Sequence, residues 1–88
     1  MVKFEKKLTK EELQQLGVES WDVWTKEVSD FDWEYDEKET FYVLEGEAEI
    51  ESDDEKITFS SGDLVTCYPG TKCVWHVKKP IKKRYKFG

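Results

Sequence analysis

Two stretches decide the fold: Glu39-Thr-Phe-Tyr-Val-Leu-Glu-Gly46, and Gly62-Asp-Leu-Val-Thr-Cys-Tyr-Pro-Gly70 further along the chain. Phe41 to Leu44 is apolar at every position, the pattern of a strand covered on both faces. Beyond Gly46, which interrupts the strand, Ala48 and Ile50 alternate with Glu47, Glu49 and Glu51, so one face of the next segment is buried and the other meets water. The second stretch opens on the turn Ser60-Ser-Gly-Asp63, runs through an apolar strand and closes on Pro69-Gly70-Thr71, a strong turn signal. Ser52-Asp-Asp-Glu55 is a third, polar turn.

The same grammar extends outward. Upstream, Trp21–Trp24 and Phe31–Tyr35 read as short strands. Downstream, Cys73–Val77 and Ile81–Phe87 read as two more, hinged at Lys79-Pro80. Only one helix is signalled, over about residues 9–16. Thr9 and Glu12 form a capping box, Leu8 and Leu13 stand at the staple positions, and Gly17 supplies the stop. Leu13 and Leu16 are expected to face inward, with the helix flanking one end of the barrel. The reading is therefore all-β: a single domain over 1–88, a small antiparallel barrel or jelly roll over about 20–87, and one short N-terminal helix.

Composition bounds the function. The chain has 88 residues, 38% hydrophobic and 39% charged, with aromatics at 15% including four Trp. That content suits one compact core built from large side chains. The net charge of -6 argues against nucleic acid. No run approaches the ~18 apolar residues of a membrane span, and the start lacks the apolar core of a secretory signal, so a soluble cytoplasmic protein is expected. Cys67 and Cys73 are too few for a disulfide framework and are expected to be free thiols. Charge is also segregated: residues 27–54 hold thirteen acids against Lys38 alone, and residues 72–88 hold six Lys and one Arg with no acid. Neighbouring strands carrying these segments would gain cross-strand ion pairs of ~0.2–1 kcal/mol each.

The two quoted stretches resemble the signature halves of the cupin superfamily, G-x5-H-x-H-x3 or x4-E-x6-G and G-x5-P-x-G-x2-H-x3-N. Glu39 and the glycines match. The histidines do not. The detailed pattern, with Trp33-Glu-Tyr35 before the glutamate and Cys73-Val-Trp75 after the turn, is similar to small single-domain cupins related to the ureidoglycine aminohydrolase cupin domain. The resemblance implies a metal held by three histidines and a glutamate, and here Cys73 stands at the second-motif histidine. With the three-residue gap Trp33 and Tyr35 occupy the first-motif histidines; with the four-residue gap Asp32 and Glu34 do. The first set is a poor shell for Mn, Fe or Ni, so no metal and no cofactor are expected. The second, with Glu39 and Cys73, could hold a cation. The first is favoured because Trp33 and Tyr35 suit a barrel lining and Asp32 and Glu34 an outer face.

Strand alternation names the other lining groups. Cys73, Trp75 and Val77 share one face, as do Ile81, Lys83, Tyr85 and Phe87. A lysine among apolar neighbours must snorkel outward or find an internal carboxylate, and Glu39 is the expected partner. Cys73, beside that ammonium, is expected to be biased toward thiolate and to be the reactive cysteine. Cys67 is expected to be packing, and His76 to make a surface or dimer contact. The expected site is thus Glu39, Cys73 and Lys83, walled by Trp33, Tyr35, Trp75 and Tyr85. The expected function is binding of a small molecule by a homodimer whose interface covers Tyr42 or Leu44. The alternative is a metal-independent enzyme on a small polar substrate using Glu39, Cys73 and Lys83.

Overall fold

The computed structural model describes residues 2–5, 8–52 and 55–88, with side chains given for all but residues 3–5. Among these residues seven strands form a single antiparallel sheet: β1 (Val2–Glu5), β2 (Asp22–Lys26), β3 (Ser29–Glu34), β4 (Glu39–Ser52), β5 (Lys56–Ser60), β6 (Leu64–Cys67) and β7 (Lys72–Phe87). Helix α1 (Lys10–Leu16) and a 3₁₀ turn (Val18–Ser20) link β1 to β2.

Two long strands organise everything else. β4 and β7 pair with each other along most of their length, from Glu39 opposite Phe87 to Ser52 opposite Cys73. On its other edge β4 pairs first with β6 and then with β5, and β7 pairs with β3 and then with β2. The register slips between Val43 and Ala48. There Gly46 adopts φ 93, and a Cβ at this position would lie 2.8 Å from the Ile81 Cα and closer still to the Pro80 carbonyl oxygen. Only a residue with no side chain lets the two backbones meet at this bulge, and the sheet changes direction across it.

Gly46 and Pro80, read in the sequence as interruptions, therefore mark bulges inside continuous strands. The hinge expected at Lys79-Pro80 does not divide the segment into two strands, because β7 runs through it as one sixteen-residue element. The barrel also starts earlier than residue 20, since β1 adds an antiparallel strand against β6. Its backbone pairing is set by a partner distant in sequence, and four residues of local pattern do not announce it. Of the turn at residues 52–55, positions 53 and 54 lie outside the described residues; the Ser52 amide donates to the Glu55 carbonyl at 2.9 Å.

The main core lies inside the bent sheet. Phe41, Val43, Ala48, Ile50, Phe59, Val65, Trp75, Val77 and Ile81 are all at most 3% exposed. Trp75 sits at its centre, with ring centroids of Phe31, Phe41, Phe59 and Trp24 5.4–5.9 Å away. Truncating such a ring to alanine costs about 3–5 kcal/mol.

A second, smaller cluster lies on the opposite face of the sheet. Val18, Trp21 and Leu64 pack there with Leu8, Leu13 and Tyr42. Helix α1 is built as the sequence indicates: the Glu12 amide donates to Thr9 Oγ1 at 3.2 Å, the Thr9 amide donates to Glu12 Oε1 at 2.9 Å, and Gly17 closes it at φ 71. Leu13 faces the sheet, but Leu16 is 41% exposed. Seven residues make only two turns, and Leu16 falls in the last one, where the chain already turns away through Gly17. The helix thus packs through Leu13 against the Val18, Trp21 and Leu64 cluster, which Tyr42 also joins.

The segregated charges meet as anticipated. β7 lies between acid-bearing β4 and β3, and Lys78 Nζ approaches Glu49 Oε1 at 3.5 Å.

Candidate functional site

A cavity of about 260 Å³ is bounded by β2, β3, β7 and the start of β4. β2 contributes Trp24, β3 contributes Phe31 and Trp33, and β7 contributes Trp75, Lys83, Tyr85 and Phe87. Tyr35, just past β3, and Glu39, the first residue of β4, complete it. Every expected ligand-binding residue, Trp33, Tyr35, Trp75 and Tyr85, lines this one space together with Glu39 and Lys83. Phe87, which strand alternation puts on the face of Lys83 and Tyr85, lines it as well, whereas Trp24 and Phe31 are not named as lining by the sequence. Trp24 lies directly opposite Lys83 in the register, which only the pairing of β2 with β7 reveals.

Lys83 Nζ donates to Glu39 Oε2 at 3.0 Å, and the two side chains are 5% and 7% exposed. The ammonium also sits against aromatic faces, with ring centroids at 4.1 Å for Phe41, 4.7 Å for Trp24 and Trp75, and 5.9 Å for Tyr85. Each face carries negative quadrupole density, so the rings stabilise the cation that burial penalises. Burial still wins for Lys83, lowering its pKa below the usual lysine value despite the opposing pull of Glu39.

Above the pair, Trp75 Nε1 donates to the Tyr35 hydroxyl at 3.2 Å. Burial holds the Tyr35 phenol protonated far above its ordinary range, with nearby Cys67 and Glu39 adding to the effect. Tyr35 is fixed from the backbone as well: its amide donates to the Thr71 carbonyl, and its carbonyl accepts from the Gly70 amide. The Pro69-Gly70 turn thereby locks one wall of the cavity. Trp33 is half exposed at the rim, tilted edge-on to Tyr35.

Cys73 is placed differently from its expected partners. It is buried in the core, its Sγ lies 3.6 Å from the Trp33 carbonyl, and it borders a separate groove with Asp32, Glu34 and Lys72. Burial pushes its thiol up to about 11, the reverse of the thiolate bias inferred from the sequence. The correction is physical: Cys73 follows the alternation to an inward position, but the desolvated thiol dominates any help from a cation on another part of β7. Cys67 is fully buried, and burial pushes it up to about 12.

The metal implied by the cupin resemblance does not fit this donor set. Around Glu39 stand indole, phenol and aromatic rings, and the carboxylate already holds the Lys83 ammonium. Asp32 and Glu34 are exposed on the outer side, bordering the groove of Cys73 and not the cavity of Glu39. The four-residue alignment therefore does not gather its four ligands. Among the described residues, the grouping with metal-ligating chemistry is Glu49, Glu51 and His76 on the outer face, with ligand atoms within 4.8 Å of one another. His76 there bridges two acids, Nδ1 to Asp30 at 2.6 Å and Nε2 to Glu51 at 3.2 Å.

Comparison with known proteins agrees with this architecture. The family model of the EutQ-like cupin domain matches residues 13–85. A DUF861 family protein of Thermotoga maritima is 47% identical, with both chains covered over 100% of their length and a TM-score of 0.95. The EutQ protein of Clostridium difficile is 26% identical at a TM-score of 0.70, the match covering 98% of this chain and 66% of that protein. A cupin-2 domain containing protein of Shewanella frigidimarina is 25% identical, with 75% and 67% covered and a TM-score of 0.63. No curated protein matches the sequence. The chain belongs to the EutQ-like cupin domain family.

Proposed function

We propose that this cupin binds a small ring-bearing molecule in the cavity lined by β2, β3 and β7, with a polar end of the ligand meeting the Glu39–Lys83 pair. One observation carries the reading: a buried ion pair with a 3.0 Å hydrogen bond forms part of the lining of a cavity whose other walls are aromatic. A pair that served packing alone could be replaced by hydrophobic residues at little cost. Here it lines about 260 Å³ of space, the liquid volume of roughly nine waters. Flat indole and phenol walls favour a planar or sugar-like ligand, and the ammonium offers donors to a carboxylate, a carbonyl or a phosphate oxygen.

The finer likeness to ureidoglycine aminohydrolase rests on motif spacing alone. That chemistry relies on a metal, which the donors around Glu39 do not suit, so the proposal does not extend it to this chain. We propose a cytoplasmic location, supported by the two free cysteines, and a homodimer, supported by the exposed Val23 beside the half-buried Leu44. Among the described residues no helix is long and apolar enough to cross a membrane.

Tryptophan emission tests the binding reading, because Trp24, Trp33 and Trp75 all line the cavity. Titration with benzoate, benzamide and benzyl alcohol should give saturable changes in emission, weakened at least several-fold in Trp33→Ala. Trp33 is half exposed, so that variant should stay folded. Absence of saturable binding by all three probes, or binding indifferent to Trp33→Ala, overturns the proposal.

A further inference from the structure

We propose that Lys83 is a carbonyl-capturing residue, condensing through its amine with a small aldehyde or ketone in the cavity to form an iminium paired with Glu39. The inference rests on the cavity reading above and names a ligand class for it. Lys83 lines the cavity, so its Nζ is the group there able to act as an amine nucleophile. Glu39 Oε2, 3.0 Å away, is within reach to accept a proton from it. Burial lowers the proton affinity of Lys83, so a free amine is available nearer neutral pH than on an exposed lysine.

The step balances without any oxidant or metal. Glu39 takes one proton from the ammonium, and the freed nitrogen lone pair forms a C–N bond to the carbonyl carbon as the C=O π pair moves to oxygen. The oxygen takes up the nitrogen's second proton, giving a neutral carbinolamine. Glu39 then returns its proton to that hydroxyl, which leaves as water while the nitrogen lone pair forms the C=N bond. One ammonium and one carbonyl compound become one iminium and one water.

The surroundings favour this product over other amine chemistry. An iminium is still a cation, so it keeps both the Glu39 counterion and the faces of Phe41, Trp24 and Trp75 within 4.1–4.7 Å of the original nitrogen. Acylation would instead leave a neutral amide and an uncompensated buried carboxylate, which is strongly unfavourable. Expulsion of water from an apolar, aromatic-walled space further supports dehydration.

The test uses benzaldehyde with sodium cyanoborohydride at pH 7, followed by peptide mapping by mass spectrometry. A benzyl adduct should build up on Lys83 at least tenfold faster than on any exposed lysine, and benzyl alcohol, which has no carbonyl, should compete with it. Lys83→Arg keeps the charge and the pairing and should abolish that adduct, while Glu39→Gln should slow it at least tenfold. Adducts confined to exposed lysines, with benzyl alcohol still changing the tryptophan emission, would overturn carbonyl capture and leave the binding reading standing. Failure of both the adduct and the emission change would overturn the two together.

Discussion

Lys83 and Glu39 come from the two longest strands, yet their charged ends meet at 3.0 Å in the interior, across 44 positions of sequence. β4 and β7 put Val43 opposite Lys83 and Glu39 opposite Phe87, so the two charged side chains lie on one inner face of the sheet and reach each other along it. Removing one partner strands the other. Lys83→Met is expected to lower unfolding free energy by about 3–5 kcal/mol, and the double variant Glu39→Gln with Lys83→Met to lose clearly less than the sum of the singles. Urea denaturation of the four proteins gives the cycle; additive losses would mean that the pair is not coupled.

At the bulge, Gly46 lets β4 touch the Pro80 carbonyl of β7 while holding φ 93. Gly46→Ala has to displace backbone as well as adopt a disfavoured φ. A loss of about 3 kcal/mol or more is expected by thermal or urea unfolding, against a smaller loss of about 1–2 kcal/mol for Gly70→Ala, where nothing lies within 4 Å of a Cβ and only the φ of 88 is strained. Equal losses at the two positions would show that the approach to Pro80 does not constrain the fold.

His76 sits between Asp30 and Glu51, and its pKa is raised above 6.5 first by the hydrogen bond to Asp30 and then by that to Glu51. A raised folded-state value means that the contribution to stability is complete below the unfolded value near ~6.5 and is lost as pH rises through the folded one. Proton NMR of the ring should give a midpoint above 6.5, with Asp30→Asn moving it down more than Glu51→Gln does. A midpoint at or below that of a free histidine would rule out the bridge.

The sequence made the cavity legible because alternation carries over long distances: once Glu39 is placed inside, parity on β7 puts Trp75, Lys83 and Tyr85 inside too. Turn chemistry and the capping box were equally readable, since both are local. What escaped was set by distant partners. The pairing of β1 with β6, the continuity of β7 through Pro80 and the position of Trp24 opposite Lys83 all depend on which strand lies alongside. The chemical bias of Cys73 escaped for another reason, because a sequence gives the parity of a side chain but not the balance between its desolvation and its neighbours.

Dimer formation is expected on the outer face of β4, β7 and β2, where they pair side by side. Tyr42, Arg84 and Val23 lie opposite one another there, and Val23 is 46% exposed while Leu44 is half-buried. Tyr42 already packs against Val18, Trp21 and Leu64 of its own chain, which moves the expected contact toward Leu44 and Val23. Sedimentation equilibrium at micromolar concentration should show a dimer that Val23→Lys converts to monomer. A monomeric parent protein would remove the interface altogether.

The two thiols give the last prediction. Cys73 is 6% exposed with its thiol pushed up to about 11, and Cys67 is fully buried with its thiol pushed up to about 12. Both should react far more slowly than a free cysteine at neutral pH, because the thiolate is the nucleophile and burial suppresses it. Iodoacetamide labelling of the native protein should still favour Cys73, with a rate that keeps rising well above the ~8.5 midpoint of a free thiol. Lys83→Arg, which preserves the buried charge, should leave that profile in place, since desolvation sets it. A Cys73 midpoint below 8.5, or fast labelling of both residues at pH 7, would return Cys73 to the cavity and to the chemistry of Glu39 and Lys83.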